Sequence, residues 1–143
     1  MTVKAILSRK GHSVVTIEPG ATLADAARLL SEQRIGSVIV KAAGDRVGGL
    51  LSERDIVRTL AERGASALNL TVEQVMTRKV VTCTVAESVG DIMERMTTGK
   101  FRHLPVVEGE RLIGIISIGD VVKHRLEEME AESSAMREYI ATA

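Results

Sequence analysis

The feature that most constrains this chain is an internal duplication covering about fifty residues of each half. Residues 14–16 (VVT) recur as 80–82, and residues 49–55 (GLLSERD) recur as 114–120 (GIISIGD). The spacing is 66 residues for the first pair and 65 for the second. The difference falls in a turn of four residues in the first copy and three in the second. A repeat of this kind indicates two copies of one supersecondary unit that bury a core together.

Both copies predict the same order of elements. Strands are predicted at Ser13–Ile17 and Val80–Thr84, amphipathic helices at about Leu23–Gln33 and Val89–Thr98, and hairpins of apolar strands at 37–41 with 46–51 and at 104–107 with 112–116. A helix begins after Ser52 and again after Ser117, and the capping box Thr71-x-x-Gln74 predicts a short connecting helix. The order β-α-β-β-α, twice, predicts an α+β fold with domains at 8–68 and 69–126 and a C-terminal helical extension at 127–143.

Composition excludes several classes of protein. Lys+Arg and Asp+Glu balance at 19 each, so the basic excess typical of a nucleic-acid binder is missing. With no Trp, one Tyr and one Phe among 143 residues, the core must be aliphatic. A single cysteine, Cys83, fits a reducing compartment. The sequence has neither a signal-peptide pattern nor an apolar run of membrane length, so we expect a cytoplasmic protein.

Several motifs resemble those of CBS domains. The segments 50–56 (LLSERDI) and 115–121 (IISIGDV) resemble the Gly-x-x-Ser/Thr-x-x-Asp signature of that family. Residues 101–107 (FRHLPVV) and 75–77 (VMT) resemble two further family motifs, and the resemblance extends over about 8–126. It implies two units packed sheet against sheet about a pseudo-twofold axis, with clefts between them that bind adenosine-containing ligands.

The two Ser-x-x-Asp motifs have two interpretations. Ser52 and Ser117 can cap a helix, with Asp55 and Asp120 three residues later favouring the helix dipole. A carboxylate at a helix start after a strand can also accept hydrogen bonds from the two hydroxyls of a ribose. The resemblance implies this second role for Asp55 and Asp120.

A basic pair predicts phosphate recognition. Arg102 and His103 begin an otherwise apolar strand, and the resemblance directs them at ligand phosphates. The first copy has Gly36 and a serine at these places, so the two clefts should differ. Arg54 could add positive charge to the other cleft or be a free surface side chain. Two charges are few for a triphosphate, so AMP is the expected ligand, followed by NAD and ATP, with ADP and S-adenosylmethionine as further alternatives.

The ends of the first strands complete the expected site. The resemblance places the adenine edge against this backbone, between apolar walls, and packing alone would also explain most of these residues. They are Thr16, Ile17, Thr82 and Cys83 at the strand ends, with Ile35 and Phe101 as walls.

Three functions remain open from sequence. The first is a non-catalytic regulatory module that binds adenine nucleotides and signals to an unidentified partner protein. The second is a ligand-free scaffold for dimerisation, and the third is a nucleotide-processing enzyme. No nucleophile motif or phosphate loop supports the enzyme. His12, His103, His124 and Cys83 lack a metal-ligand spacing, so no metal site is expected.

A homodimer is expected from the C-terminal segment. Its apolar residues recur at helical spacing in a stripe too long for one small module to cover. The stripe consists of Val121, Val122, Leu126, Met129, Met136 and Ile140. A tail that folds back on its own module is the alternative.

Overall fold

Two β-hairpins, one from each repeat, form the centre of the fold. The structure is a computed structural model, and it describes residues 1–142. The α-helices are α1 (Val3–Lys10), α2 (Leu23–Gln33), α3 (Glu53–Arg63), α4 (Val72–Val75), α5 (Val89–Gly99) and α6 (Ile118–Thr142). The strands are β1 (Thr16–Ile17), β2 (Ser37–Ala42), β3 (Arg46–Ser52), β4 (His103–Glu108) and β5 (Arg111–Ser117). Short 3₁₀ segments cover 43–45 and 64–69.

The hairpins are built alike and join edge to edge. The strand order is β1-β2-β3-β5-β4, and the only residue pair that links β3 to β5 is Arg46 with Arg111. Both hairpins shift register at equivalent places, after Val40 and after Val106. The duplication therefore extends to the backbone irregularities, and the α+β fold with a five-stranded sheet and a long C-terminal helix is confirmed.

The first strand predicted for each repeat is longer than the structure shows. In the first repeat only Thr16 and Ile17 form a strand, and in the second Val80–Thr84 is not a strand, since only Cys83 bridges to Val106. The physical reason is Pro105, which lies beside Val106 and accepts a hydrogen bond from the Cys83 amide at 3.0 Å. A parallel ladder would next need an N–H from Pro105, and proline has none.

Helix α1 was not predicted from the sequence. It packs on the second repeat, because Val3, Ile6 and Leu7 are buried in one core cluster with residues of α5, β4 and β5. The short α4 packs instead on the first repeat, where Val72 is buried with residues of α2, β2 and β3. In sequence, α1 precedes the first repeat but packs on the second, whereas α4 precedes the second repeat but packs on the first. Each half of the chain therefore contributes a helix to the core of the other.

The C-terminal helix runs without a break from Ile118 to Thr142. At 1.5 Å per residue, its 25 residues span about 37 Å. Val121 at its beginning is fully buried and belongs to the core. The rest of the predicted stripe is exposed: Val122, Leu126, Met129, Met136 and Ile140.

Candidate functional site

The start of α3 carries the first Ser-x-x-Asp motif in a closed network. Asp55 accepts hydrogen bonds from the Ser52 amide at 2.9 Å and from the Ser52 hydroxyl at 3.0 Å. The Asp55 amide donates in return to the Ser52 hydroxyl, which completes a capping box. The second carboxylate oxygen of Asp55 accepts from Arg58, whose side chain is 60% exposed. The capping role predicted for this motif is therefore present, and one of the carboxylate's contacts is with an exposed surface side chain.

A cavity of about 510 Å³ lies between the two repeats at this helix start, and we call it the first cleft. Its volume falls in the range typical of small-molecule sites, about 300–1,000 Å³. One wall comes from the first repeat and the other from the second. The lining residues are Gly36, Ser37, Leu50, Ser52, Glu53, Arg54, Asp55, Thr77, Lys79, Val80, Val81, Lys100, Phe101, Arg102, His103 and Ile118.

Four permanently charged cations border the first cleft. They are Arg54, Lys79, Lys100 and Arg102, and none of them forms an ion pair within residues 1–142. Glu53 and Asp55 supply two negative charges, so the border of the cleft has a net positive charge. Unpaired cations around a concave site attract an anionic ligand and raise its rate of association.

His103 lies on the wall shared with the second repeat. Its partial burial lowers the pKa of its imidazole below the ordinary value, and the charges of Lys10 and Arg102 lower the pKa further. The negative charges of Asp120 and Glu53 oppose this effect without reversing it. The imidazole is therefore neutral at pH 7, where it can donate one hydrogen bond but adds no permanent charge.

One buried polar side chain of the first cleft has no hydrogen-bond partner within residues 1–142. The hydroxyl oxygen of Ser37 is buried and forms no hydrogen bond with residues 1–142. Serine hydroxyls buried in this way are uncommon, since an unsatisfied polar group costs about 1–3 kcal/mol. Ser37 lines the cavity directly beside the start of α3.

The second Ser-x-x-Asp motif has the same cap and a different neighbour. Asp120 accepts a hydrogen bond from the Ser117 amide at 2.9 Å, as Asp55 does from Ser52. Asp120 also accepts one from the ammonium group of Lys10, at 2.6 Å. Partial burial acts to raise the pKa of Asp120, but the hydrogen bonds from Lys10 and Ser117 outweigh it, so the pKa lies below its ordinary value.

The structure brings half of the expected site residues to one cavity. Gly36, Ser52, Arg54, Asp55, Phe101, Arg102 and His103 line the first cleft together. Arg54 therefore lies in the same cavity as Arg102 and His103 and not in a separate one. Ile35 borders a neighbouring shallow hollow, and the cavity lining excludes Thr16, Ile17, Thr82, Cys83, Ser117 and Asp120.

Cys83 is part of the core of the second repeat. Its side chain is buried, and burial raises the pKa of the thiol to about 12, with a smaller contribution from the charge of Glu87. A thiol of that pKa is almost entirely protonated at neutral pH and is a poor nucleophile. The packing role considered for Cys83 therefore accounts for its position.

Sequence reasoning did not assign six polar residues of this region to a site: Ser37, Glu53, Thr77, Lys79, Lys100 and Lys10. A signal for the lysines was present in a third part of the repeat. Residues 2–10 (TVKAILSRK) match 71–79 (TVEQVMTRK) at a spacing of 69 residues, so Lys10 and Lys79 are equivalent. The backbone hydrogen bonds agree, because the Val3 amide donates to Glu87 as the Val72 amide donates to Ala21.

Within residues 1–142 no group of three or more His, Cys, Asp or Glu side chains is arranged to hold a metal ion. In the same range, no helix has the length and apolar composition needed to cross a bilayer. The fold and the first cleft together define a class of protein: a paired-repeat module with a ligand-sized cavity between its halves.

Comparison with known proteins gives the family. The model of the CBS domain matches residues 3–62 and again 72–127. The chain therefore belongs to the CBS domain family and carries two of these domains in tandem. CBS pair proteins are regulatory modules, and neither the family model nor the relatives indicate an enzymatic family.

The relatives agree in sequence and in fold. A crystal structure of a CBS-domain containing protein from Agrobacterium tumefaciens is 46% identical, covers 87% of this chain and 99% of its own, and has a TM-score of 0.84. The mitochondrial CBS domain-containing protein CBSX3 of Arabidopsis thaliana is 29% identical over 97% of this chain and 71% of its own length. The CBS domain pair of protein MJ0100, solved with 5′-methylthioadenosine and S-adenosyl-L-methionine, is 25% identical, with a TM-score of 0.76 over 86% of this chain and 98% of its own.

Proposed function

We propose that this chain is a non-catalytic regulatory module that binds an adenosine nucleotide in the first cleft and signals its occupancy to a partner protein. The observation that carries the proposal is the composition of that cleft. It combines a carboxylate at a helix start and four unpaired cations in one cavity of about 510 Å³. The adenosine ligands named for the MJ0100 pair support the same ligand class.

The ribose would bind at the start of α3. Asp55 is buried at the start of α3, and its partner Arg58 has a side chain that is 60% exposed. A ribose hydroxyl can therefore take the place of Arg58, whose guanidinium group can stay hydrated at the surface. Ser37 lines the same cavity, and its hydroxyl oxygen is buried beneath the cavity wall.

The phosphates would bind at Lys79, Lys100 and Arg102, which line the same cleft. The preference for AMP expected from sequence assumed that Arg102 and His103 were the only basic groups. The first cleft contains Arg54, Lys79 and Lys100 in addition to these two residues. Its positive charge therefore suits ADP and ATP as well as AMP. We therefore propose adenosine with at least one phosphate as the ligand class.

The base would lie against apolar side chains. Val80, Val81, Phe101 and Ile118 border the cleft, and Val81 is 44% exposed although it is a large hydrophobic residue. A purine ring would remove this surface from water, at a gain of about 25 cal/mol per Å².

A thermal-shift series tests the ligand class. AMP, ADP, ATP, NAD and S-adenosylmethionine should raise the melting temperature, because a ligand that binds only the folded state stabilises it. GMP serves as the control for the base. Equal shifts with GMP and AMP would contradict adenine recognition, and no shift with any compound would favour the ligand-free scaffold. Product analysis after incubation with AMP and ATP tests the enzyme alternative, for which we expect no turnover.

We also propose a homodimer in which α6 takes part. Leu126, Met129, Met136 and Ile140 are between 52% and 67% exposed, although they lie along one helix of about 37 Å. A second copy would cover them. Light scattering should give a dimer for the full chain and a weaker one for a chain that ends at Leu126. A full-length monomer at micromolar concentration contradicts the dimer, and an unweakened truncated dimer contradicts the role of α6.

The regulated partner and the compartment belong to the same proposal. The chain's two repeats form one module, so we propose that a nucleotide-dependent change reaches another protein through its surface. The cytoplasm is the compartment expected from the single cysteine. Cell fractionation tests the compartment, and affinity capture with and without AMP tests whether any partner responds to the nucleotide.

A further inference from the structure

The two Ser-x-x-Asp motifs are equivalent in sequence but differ in what their carboxylates contact. Asp55 faces the first cleft, and its one contact outside the cap is with the exposed Arg58. Asp120 contacts Lys10, a residue more than a hundred positions away, whose side chain is only one third exposed. We call the region beside Asp120 the second cleft, since the duplication makes it the counterpart of the first.

Lys10 is held in the second cleft by two hydrogen bonds. Its ammonium group donates to Asp120 at 2.6 Å and to the carbonyl oxygen of Ile115 at 3.0 Å. The next polar residue, His12, contacts the carbonyl oxygen of Ile113 at 2.9 Å through Nδ1. The segment after α1 therefore runs along β5 and closes the space in front of Asp120.

Lys10 is the last residue of α1, and the packing of this helix determines where Lys10 lies. Val3, Ile6 and Leu7 are at most 1% exposed, and Arg9 forms an ion pair with Glu127. Three buried side chains and this ion pair hold α1 on the second repeat and fix where Lys10 lies. The packing of α1 therefore brings Lys10 to Asp120.

The equivalent lysine of the first cleft behaves differently. Lys79 lines that cleft and forms no ion pair within residues 1–142. The reason is the length of the preceding helix: α1 continues for eight residues to Lys10, whereas α4 ends after four, at Val75. Three additional residues, 11–13, then separate Lys10 from the repeated VVT segment and allow the longer helix.

We infer that Lys10 is an internal occupant of the second cleft, which takes the hydrogen-bonding position of a ribose at Asp120, so that each chain binds one nucleotide, in the first cleft. This inference rests on the proposed function for the identity of the ligand. Displacing Lys10 would break its hydrogen bonds to both Asp120 and the carbonyl oxygen of Ile115, so ribose hydroxyls do not displace this ammonium group. In the first cleft the equivalent Lys79 is free to bind a phosphate.

Binding stoichiometry tests the inference. Isothermal titration with AMP and, separately, with ATP should give one site per wild-type chain and two sites for Lys10→Ala. The double variant Lys10→Ala/Asp120→Asn should return to one site. Lys4→Ala is the matched control, because Lys4 is an exposed lysine of the same helix without an ion pair, and it should keep one site. Two sites in the wild type, or one site in Lys10→Ala, would overturn the inference.

A second measurement does not depend on the nucleotide. An NMR titration of the Asp120 carboxyl should give a higher pKa in Lys10→Ala than in the wild type, and an unchanged pKa overturns the contact. If no variant binds AMP or ATP but the Asp120 pKa still rises without Lys10, the nucleotide function fails and the internal ion pair stands. If the wild type binds two molecules, the nucleotide function stands, and the inference that Lys10 occupies the second cleft is wrong.

Discussion

Replacing Leu7 with alanine tests whether α1 stabilises the second repeat. Leu7 is 1% exposed and lies in the core cluster of the second repeat, against Gly114. The change removes three carbon groups, which at about 0.8 kcal/mol each cost about 2.4 kcal/mol of transfer free energy. The cavity left behind adds to this loss, so we expect a total of about 3–4 kcal/mol. A domain of this kind is stable by about 5–15 kcal/mol, so the variant should still fold.

Urea denaturation followed by circular dichroism measures this loss. Ser8→Ala is the matched control, since Ser8 is the next residue of the helix, is exposed, and donates only to the carbonyl of Lys4. It should change the free energy of unfolding by no more than about 0.5 kcal/mol. A loss below about 1 kcal/mol for Leu7→Ala would refute the reasoning, because it would mean that α1 contributes little to the second repeat.

Three further predictions concern single sites. Gly49→Ala should destabilise the fold by about 1–3 kcal/mol in a thermal melt, because its new Cβ would lie 2.9 Å from the carbonyl oxygen of Thr77; an unchanged melt contradicts this close approach. Cys83 should resist Ellman's reagent in the native protein and react fully in guanidinium, since its thiol pKa is about 12; rapid native labelling contradicts its burial. Because Lys10 holds the pKa of Asp120 below 3.8 in the folded state, the pair stabilises the protein above that pH, by up to about 1 kcal/mol, and the gain is lost as pH falls through the folded-state pKa. Melts of Lys10→Ala and wild type should therefore differ at pH 7 and converge as the pH falls below the folded-state pKa of Asp120, and a constant difference contradicts the ion pair.

The elements of the repeat could be predicted from sequence where apolar periodicity or a capping box marked them. The hairpins, α2 and α5 follow from apolar periodicity and lie within one or two residues of their predicted bounds. The capping boxes at Ser52 and Thr71 were visible as spacings and form as expected. The strand predicted at Val80–Thr84 failed because β-branched composition says nothing about the partner strand, where Pro105 interrupts the ladder.

The candidate site was harder to predict, because long-range packing decides which side chains meet. Asp55 and Asp120 look alike in sequence, and only the path of α1 brings Lys10 to one and not to the other. Ser37 was recognised as the counterpart of His103, but its lack of a partner is a property of the folded environment. Pairwise matching of 2–10 with 71–79 could have revealed α1, since Val3 and Val72 then occupy equivalent buried positions.

The central claim is that Asp55 binds the ribose of an adenosine nucleotide in the first cleft, and titration calorimetry with AMP tests it directly. Asp55→Asn keeps the capping geometry but removes the charge, so it should weaken AMP binding by about 1.5–3 kcal/mol, or about 10- to 150-fold. Asp25→Asn is the matched control, because Asp25 forms the same capping box with Thr22 at the start of α2, outside the cleft, and it should leave the affinity unchanged. Equal AMP affinity in the wild type and in folded Asp55→Asn would contradict the account.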